Sequence, residues 1–100
     1  MLEADLSSTN ETSDVMTGRA ILSGVESLGK QDTYATVQVN SAGNFNIVLE
    51  ATLHRPADNR WETIATATQN DIQIFTLRIT PTTRYRFRRI SGDCSVRMAA

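Results

Sequence analysis

Cysteine, histidine, tryptophan and lysine each occur once in this 100-residue chain, and each shortage removes a class of function. The lone cysteine, Cys94, excludes an intrachain disulfide and fits synthesis in a reducing cytoplasm. No basic partner is obvious beside it, so Cys94 reads as a small apolar residue of the last strand and not as a nucleophile. The lone histidine, His54, would have to recruit carboxylates to hold a metal, and no spacing suggests that. Asp58 and Glu62 flank a turn, where exposed carboxylates are ordinary. No catalytic residue, metal site or cofactor is expected, and the chain reads as non-enzymatic. It has no long apolar run and no basic N-terminal stretch, so neither a membrane span nor a secretory signal is expected. The glycosylation match Asn10-Glu11-Thr12 is accordingly taken as chance.

What the chain does have is short alternation broken by turn residues. Over Phe45 to His54, one face collects Phe45, Ile47, Leu49, Ala51 and Leu53, the other Asn46, Val48, Glu50, Thr52 and His54, the pattern of a half-buried strand. Residues 55–60 combine Pro56 with Asp58 and Asn59, so the chain should reverse there into a returning strand over Trp61 to Thr68. A further strand spans Ile72 to Thr80, where the apolar parity changes from Ile72 and Ile74 to Phe75, Leu77 and Ile79; a bulge or a face buried at one end would explain this. Thr83 to Ile90 alternates Tyr85 and Phe87 with arginines. After the Ser91-Gly92-Asp93 turn, Cys94, Val96 and Met98 alternate with Ser95 and Arg97, which reads as a second hairpin. Upstream, Ala35, Val37 and Val39 alternate with Tyr34, Thr36 and Gln38, and a weaker strand is possible around Arg19 to Leu22.

Six or seven such strands without a useful helical pattern indicate an all-β fold, a single antiparallel β-sandwich of jelly-roll or immunoglobulin-like connectivity. At this length about 65% of the unfolded chain's surface can be buried, enough for one core. With 40% apolar residues and 6% aromatics, that core should be mostly aliphatic.

Residues 1–16 are polar, acidic and without sustained period, and are expected to form an extended N-terminal arm ahead of a sandwich domain over 17–100. Two readings of the arm stand side by side. Either it contacts a neighbouring chain through Leu2, Leu6, Val15 and Met16, or it folds back on its own domain.

Charge is divided unevenly. Residues 1–50 carry two basic and seven acidic side chains, net minus five; residues 51–100 carry eight arginines against four acids, net plus four. Arginine's planar fork suits bidentate contact with carboxylate or phosphate. Arg84, Arg86 and Arg88 share one strand face about 7 Å apart, with Arg78 or Arg97 expected alongside on neighbouring strands. The row has two main uses: a solvated face paired with acids of the same domain, or a dock for an acidic surface of another subunit. Nucleic acid is disfavoured by the net charge of −1 and the lack of stacking aromatics between the arginines.

Two further patterns are set aside. Residues 24–31, Gly-Val-Glu-Ser-Leu-Gly-Lys-Gln, approach the phosphate-cradling G-x-x-x-x-G-K-[ST], but Gln31 lacks the hydroxyl that would hold magnesium, and a strand, not a helix, should follow. Trp61 and Tyr34 offer a flat platform for a sugar ring, although a lone tryptophan more commonly covers one end of a core.

The order of the Phe45–His54 strand, a polar tip, "RWETIATAT", a further strand and "TTRYRFRRISGDCSVRMAA" resembles the small β-sandwich structural proteins of tailed-phage particles. Their pattern runs W-x-T-[VI]-A, then Y-R-[FL]-R, a short turn and a closing V-R strand. The resemblance covers about residues 44–100; the dense run Arg84 to Arg89 departs from it. It implies a virion component assembled in the host cytoplasm, a capsid decoration or cement protein that stabilises the particle. Such a protein would bind the major capsid protein and neighbouring copies, as a homo-oligomer on the particle, with no membrane or nucleic-acid partner. A neck, tail or fibre-base subunit is the second expectation, and a carbohydrate- or receptor-binding module the third.

Overall fold

The alternation read over residues 34–39 is a strand: Ala35, Val37 and Val39 are fully buried, while Tyr34, Thr36 and Gln38 face solvent. β-Branched residues suit this pleated, half-buried setting. The computed structural model describes residues 1–22, 33–68 and 74–100. Its elements are β1 (Leu2–Leu6), β2 (Met16–Thr17), a one-turn helix α1 (Gly18–Ile21), β3 (Thr33–Asn40), β4 (Asn46–Thr52), β5 (Glu62–Thr68), β6 (Ile74–Ile79), β7 (Arg84–Ser91) and β8 (Cys94–Ala99). The phosphate-loop look-alike at residues 24–31 and the start of the Ile72–Thr80 segment lie outside the described residues.

The strands form two antiparallel four-stranded sheets, ordered β1-β8-β3-β6 and β2-β7-β4-β5. The pairings are nested: β4 with β5, β3 with β6, β2 with β7 and β1 with β8. Both sheets feed one apolar cluster, Val37, Val39, Val96 and Met98 from the first and Ile47, Leu49, Tyr85 and Phe87 from the second. As the composition implies, it is mainly aliphatic.

Nesting corrects the sequence reading at several points. Among the described residues, only β4 and β5 of the consecutive strands pair as a hairpin; the tip has Pro56 opening a 3-10 turn and Asn59 in the left-handed region at φ 53°. The segments on either side of Ser91-Gly92-Asp93 alternate as read but are not a hairpin, because β7 and β8 belong to different sheets. Gly92, at φ 75°, turns the chain across, and a Cβ there would strike the Asn44 carbonyl. No period of two in the sequence records which sheet a strand enters. Around Arg19 to Leu22 there is a helical turn, not a strand, since Thr17 caps it by accepting from Ala20 N at 3.2 Å. The irregularities lie in the pairing of β4 with both neighbours, between Leu49 and Glu50 on the β5 side and between Asn46 and Ile47 on the β7 side. In β6, Ile74 is simply exposed.

The leader is stitched into both sheets. Leu2 to Leu6 zip onto Met98 to Cys94, and Leu2 and Leu6 are each 1% exposed. After a tight turn in which Ser7 and Asn10 exchange backbone bonds at 3.1 Å, the chain crosses to β7. There Ser13 N donates to the Phe87 carbonyl at 2.9 Å and Ser13 Oγ accepts from Phe87 N at 2.8 Å. Of the two readings of residues 1–16, the geometry is that of a segment folded onto its own domain. Leu2 and Leu6 are therefore core residues, not contacts for another chain. Their spacing of four in a strand puts both on one face, which is what burial requires.

Candidate functional site

The β4 strand was expected to be half buried, yet Val48, Glu50 and Thr52 on its outer parity are buried along with Ile47 and Leu49 on the inner one. The cause is the layer of long side chains from β7 lying over it. Register places Arg84, Arg86 and Arg88 opposite Thr52, Glu50 and Val48. Glu50, 5% exposed, divides its oxygens: Oε1 accepts from Arg86 Nε at 3.0 Å and Oε2 pairs with Arg88 Nε at 3.2 Å. Such charge-assisted contacts are the stronger hydrogen bonds, and here they satisfy a carboxylate that burial would otherwise penalise.

Trp61 completes this face. Its ring lies against the Arg86 guanidinium, 4.2 Å from carbon to ring centroid, close enough for a cation–π contact. It neither caps the end of the core nor stands free as a platform; it is half buried on the outside of the β2-β7-β4-β5 sheet. Its Nε1 is buried without an acceptor. Arg84 Nη1 donates to the His54 carbonyl at 3.3 Å, which fastens the third arginine to the end of β4. His54 itself is exposed, as is Leu53, which was expected to face inward but follows the last residue of β4.

The result is a fixed row of three guanidiniums above one buried carboxylate, three positive charges against one negative. Arg78 and Arg97 do not extend the row, since β6 and β8 belong to the other sheet. Arg78 lies over Tyr34, 5.9 Å to the ring centroid, and Arg97 pairs with Glu3 at 3.1 Å. Tyr34 and Trp61 therefore occupy opposite sheets and share no platform. Val15 is 39% exposed, and Met16 packs half buried against the core.

Sequence reading named the arginines but missed Glu50 and Trp61 as their partners. The available signal was Glu50 itself, a lone acid directly after the apolar run Ile47-Val48-Leu49.

The outer face of the other sheet carries a polar groove across β1, β8 and β3. Register aligns Asp5 with Ser95 and Asn40, and Glu3 with Arg97 and Gln38. Ser95 Oγ donates to Asp5 Oδ1 at 2.7 Å. Among the described residues no cluster of histidine, cysteine, aspartate and glutamate could hold a metal ion, and no helix is long and apolar enough to cross a membrane. Burial pushes the Cys94 thiol above its ordinary pKa, Asp93 adds to the shift, and Arg89 opposes it. The chain matches no family model, no curated protein and no solved structure.

Proposed function

We propose that this chain is a non-enzymatic structural protein of a tailed-phage particle, a capsid decoration or cement protein that docks on an acidic surface of the major capsid protein. The observation that carries the reading is the nested strand order. We read the pairing of first with last strand, second with seventh, third with sixth and fourth with fifth as the double Greek key of a jelly-roll sandwich, an architecture shared by viral capsid and lectin domains. The step from architecture to role is an analogy, since one fold hosts many functions. It agrees with the sequence resemblance over residues 44–100.

The docking element in this reading is the Arg84-Arg86-Arg88 row. Glu50 and Trp61 hold Arg86 in place and Glu50 also holds Arg88, so little side-chain freedom remains to be lost on binding. The two charges left over after Glu50 give the face a sign that steers it toward carboxylates. A neck, tail or fibre-base subunit would use the same face.

The test is copurification. Virions of the phage whose genome encodes this chain are banded, and the band is probed with an antibody to it. A fixed copy number per particle is expected, with occupancy reduced by Arg84→Ala. Absence of the chain from clean particles overturns the reading.

The polar groove on the other sheet favours a second reading, a carbohydrate-binding module. Its amide and carboxylate groups, Gln38, Asn40 and Asp5, are of the kind that bond sugar hydroxyls, and Tyr34, 59% exposed, stands further along the same strand. Binding on a glycan array that Asn40→Ala abolishes would favour it over the first.

A further inference from the structure

The arginine row ends on a hollow. Beyond Arg84, where β4 closes and β5 begins, a solvent-open hollow of about 550 Å³ is lined by Ala51, Thr52, Leu53, His54, Arg60 and Trp61, with Glu62 at its rim. That volume is within the range of ordinary ligand pockets, about 300–1,000 Å³. Row and hollow are continuous. Trp61 lines the hollow and lies against Arg86, the His54 carbonyl beside it accepts from Arg84, and Thr52 stands opposite Arg84 in the β4–β7 pairing. The apolar part of the hollow is the Trp61 ring and Leu53, which at 71% is the most exposed large apolar side chain among the described residues.

We infer that this composite face recognises an extended acidic polypeptide segment of a partner protein, with carboxylates at alternate positions over the arginines and a bulky apolar side chain at one end seated in the hollow. Charge decides which part of the segment goes where. Along the row, three guanidiniums stand over the single carboxylate of Glu50, so the excess is positive. At the hollow, Arg60 and Glu62 cancel, so selection there falls to shape and apolar contact. Spacing decides the conformation. Arginines two apart on β7 stand about 7 Å apart, and so do alternate side chains of an extended segment. Helix neighbours three or four residues apart lie at about 5–6 Å and would fall out of step across three arginines.

The two parts need each other. Ion pairs at a surface contribute little alone, and a row of arginines without the hollow would accept any polyanion, nucleic acid included. The hollow makes the face selective, because it shields an apolar side chain from water only when that side chain stands in register beside carboxylates. The inference rests on the proposed reading of the arginine face as the docking element and names what that face takes; where in a particle the partner sits is a separate question.

Trp61 is the only tryptophan of the chain, so its fluorescence reports the hollow directly. The purified full-length chain is titrated with the acetylated and amidated peptide Phe-Thr-Glu-Thr-Glu-Thr-Glu and with the same sequence reversed, which together cover both chain directions. At least one should shift the emission saturably, and its affinity should fall as the screening length shrinks from about 30 Å at ~0.01 M salt to about 8 Å at ~0.15 M. Serine in place of the peptide's phenylalanine, or glutamine in place of its glutamates, should weaken binding at least about tenfold, ~1.4 kcal/mol. Leu53→Ser and Arg84→Ala in the protein should each do likewise, and melting temperatures near wild type show that both variants are folded. No saturable shift with either peptide at millimolar concentration, an affinity indifferent to loss of the phenylalanine, or equally tight binding of an oligothymidylate of the same charge would each overturn the assignment. None of these outcomes touches copy number on virions, so failure here is distinguishable from failure of the functional reading.

Discussion

Glu50 accepts from Arg86 Nε at 3.0 Å in a setting that leaves the carboxylate residue 5% exposed, and Arg88 holds its other oxygen. Removing both donors strands a buried charge. Arg86→Met combined with Arg88→Met, which keeps apolar stems over β4 while removing both donors, should therefore cost roughly 3 kcal/mol of stability. Arg84→Ala, which loses one bond to an exposed loop carbonyl, should stay within about 0.5 kcal/mol. Denaturant melts measure both. Equal effects at the two sites would show that Glu50 is not what orders the row.

The contact between Trp61 and Arg86 should couple energetically. A double-mutant cycle with Trp61→Ala and Arg86→Ala is expected to give a coupling of about 1 kcal/mol. Additive single costs would mean that the ring only covers β4 and does not fix the guanidinium.

Leu6 is 1% exposed in β1 beside β8, so the leader should behave as core. Leu6→Ala should cost about 2–5 kcal/mol, and deletion of residues 1–6 should leave β8 without its edge partner and lower the melting temperature sharply. A detached arm would tolerate both changes without loss of stability.

The fate of the charge asymmetry shows what the sequence could and could not reveal. An acidic first half and an arginine-rich second half left two uses open, pairing within the domain or docking on another subunit. In the nested topology the earliest strands lie beside the latest, so much of that complementarity is met inside one chain: Glu3 with Arg97, Glu11 with Arg89 at 3.4 Å, Glu50 with Arg86 and Arg88. Alternation told which residues of β3, β7 and β8 point inward, because facing is a local property with period two. Partnership between strands some ninety positions apart, as between Asp5 and Ser95, leaves no local trace. The choice between the two readings of the leader was open for the same reason. Its polarity comes from residues such as Glu3 and Asp5 that face solvent, while the two leucines that anchor it are too few to make a periodic signal.

Cys94 should be a slow thiol. Burial holds its pKa above the ordinary value, so the neutral form is the native one. Reaction with a disulfide reagent should be slow in the native protein and rise on unfolding. Because the folded thiol ionises later than the unfolded one, its contribution to stability is whole below the unfolded pKa, about 8.5. That contribution is lost as the pH climbs through the raised native value. Cys94→Ala should flatten that alkaline decline. Rapid labelling of the folded protein at neutral pH would contradict the assignment.

The central claim is that this chain works by shape and charge against its neighbours in a particle, through the β7 arginine face. An image of the intact virion at side-chain resolution tests it most directly. The account predicts a two-sheet density for this chain with Arg84, Arg86 and Arg88 turned toward acidic side chains of a capsid subunit. A particle that lacks the chain, or carries it with that face open to solvent, would contradict it.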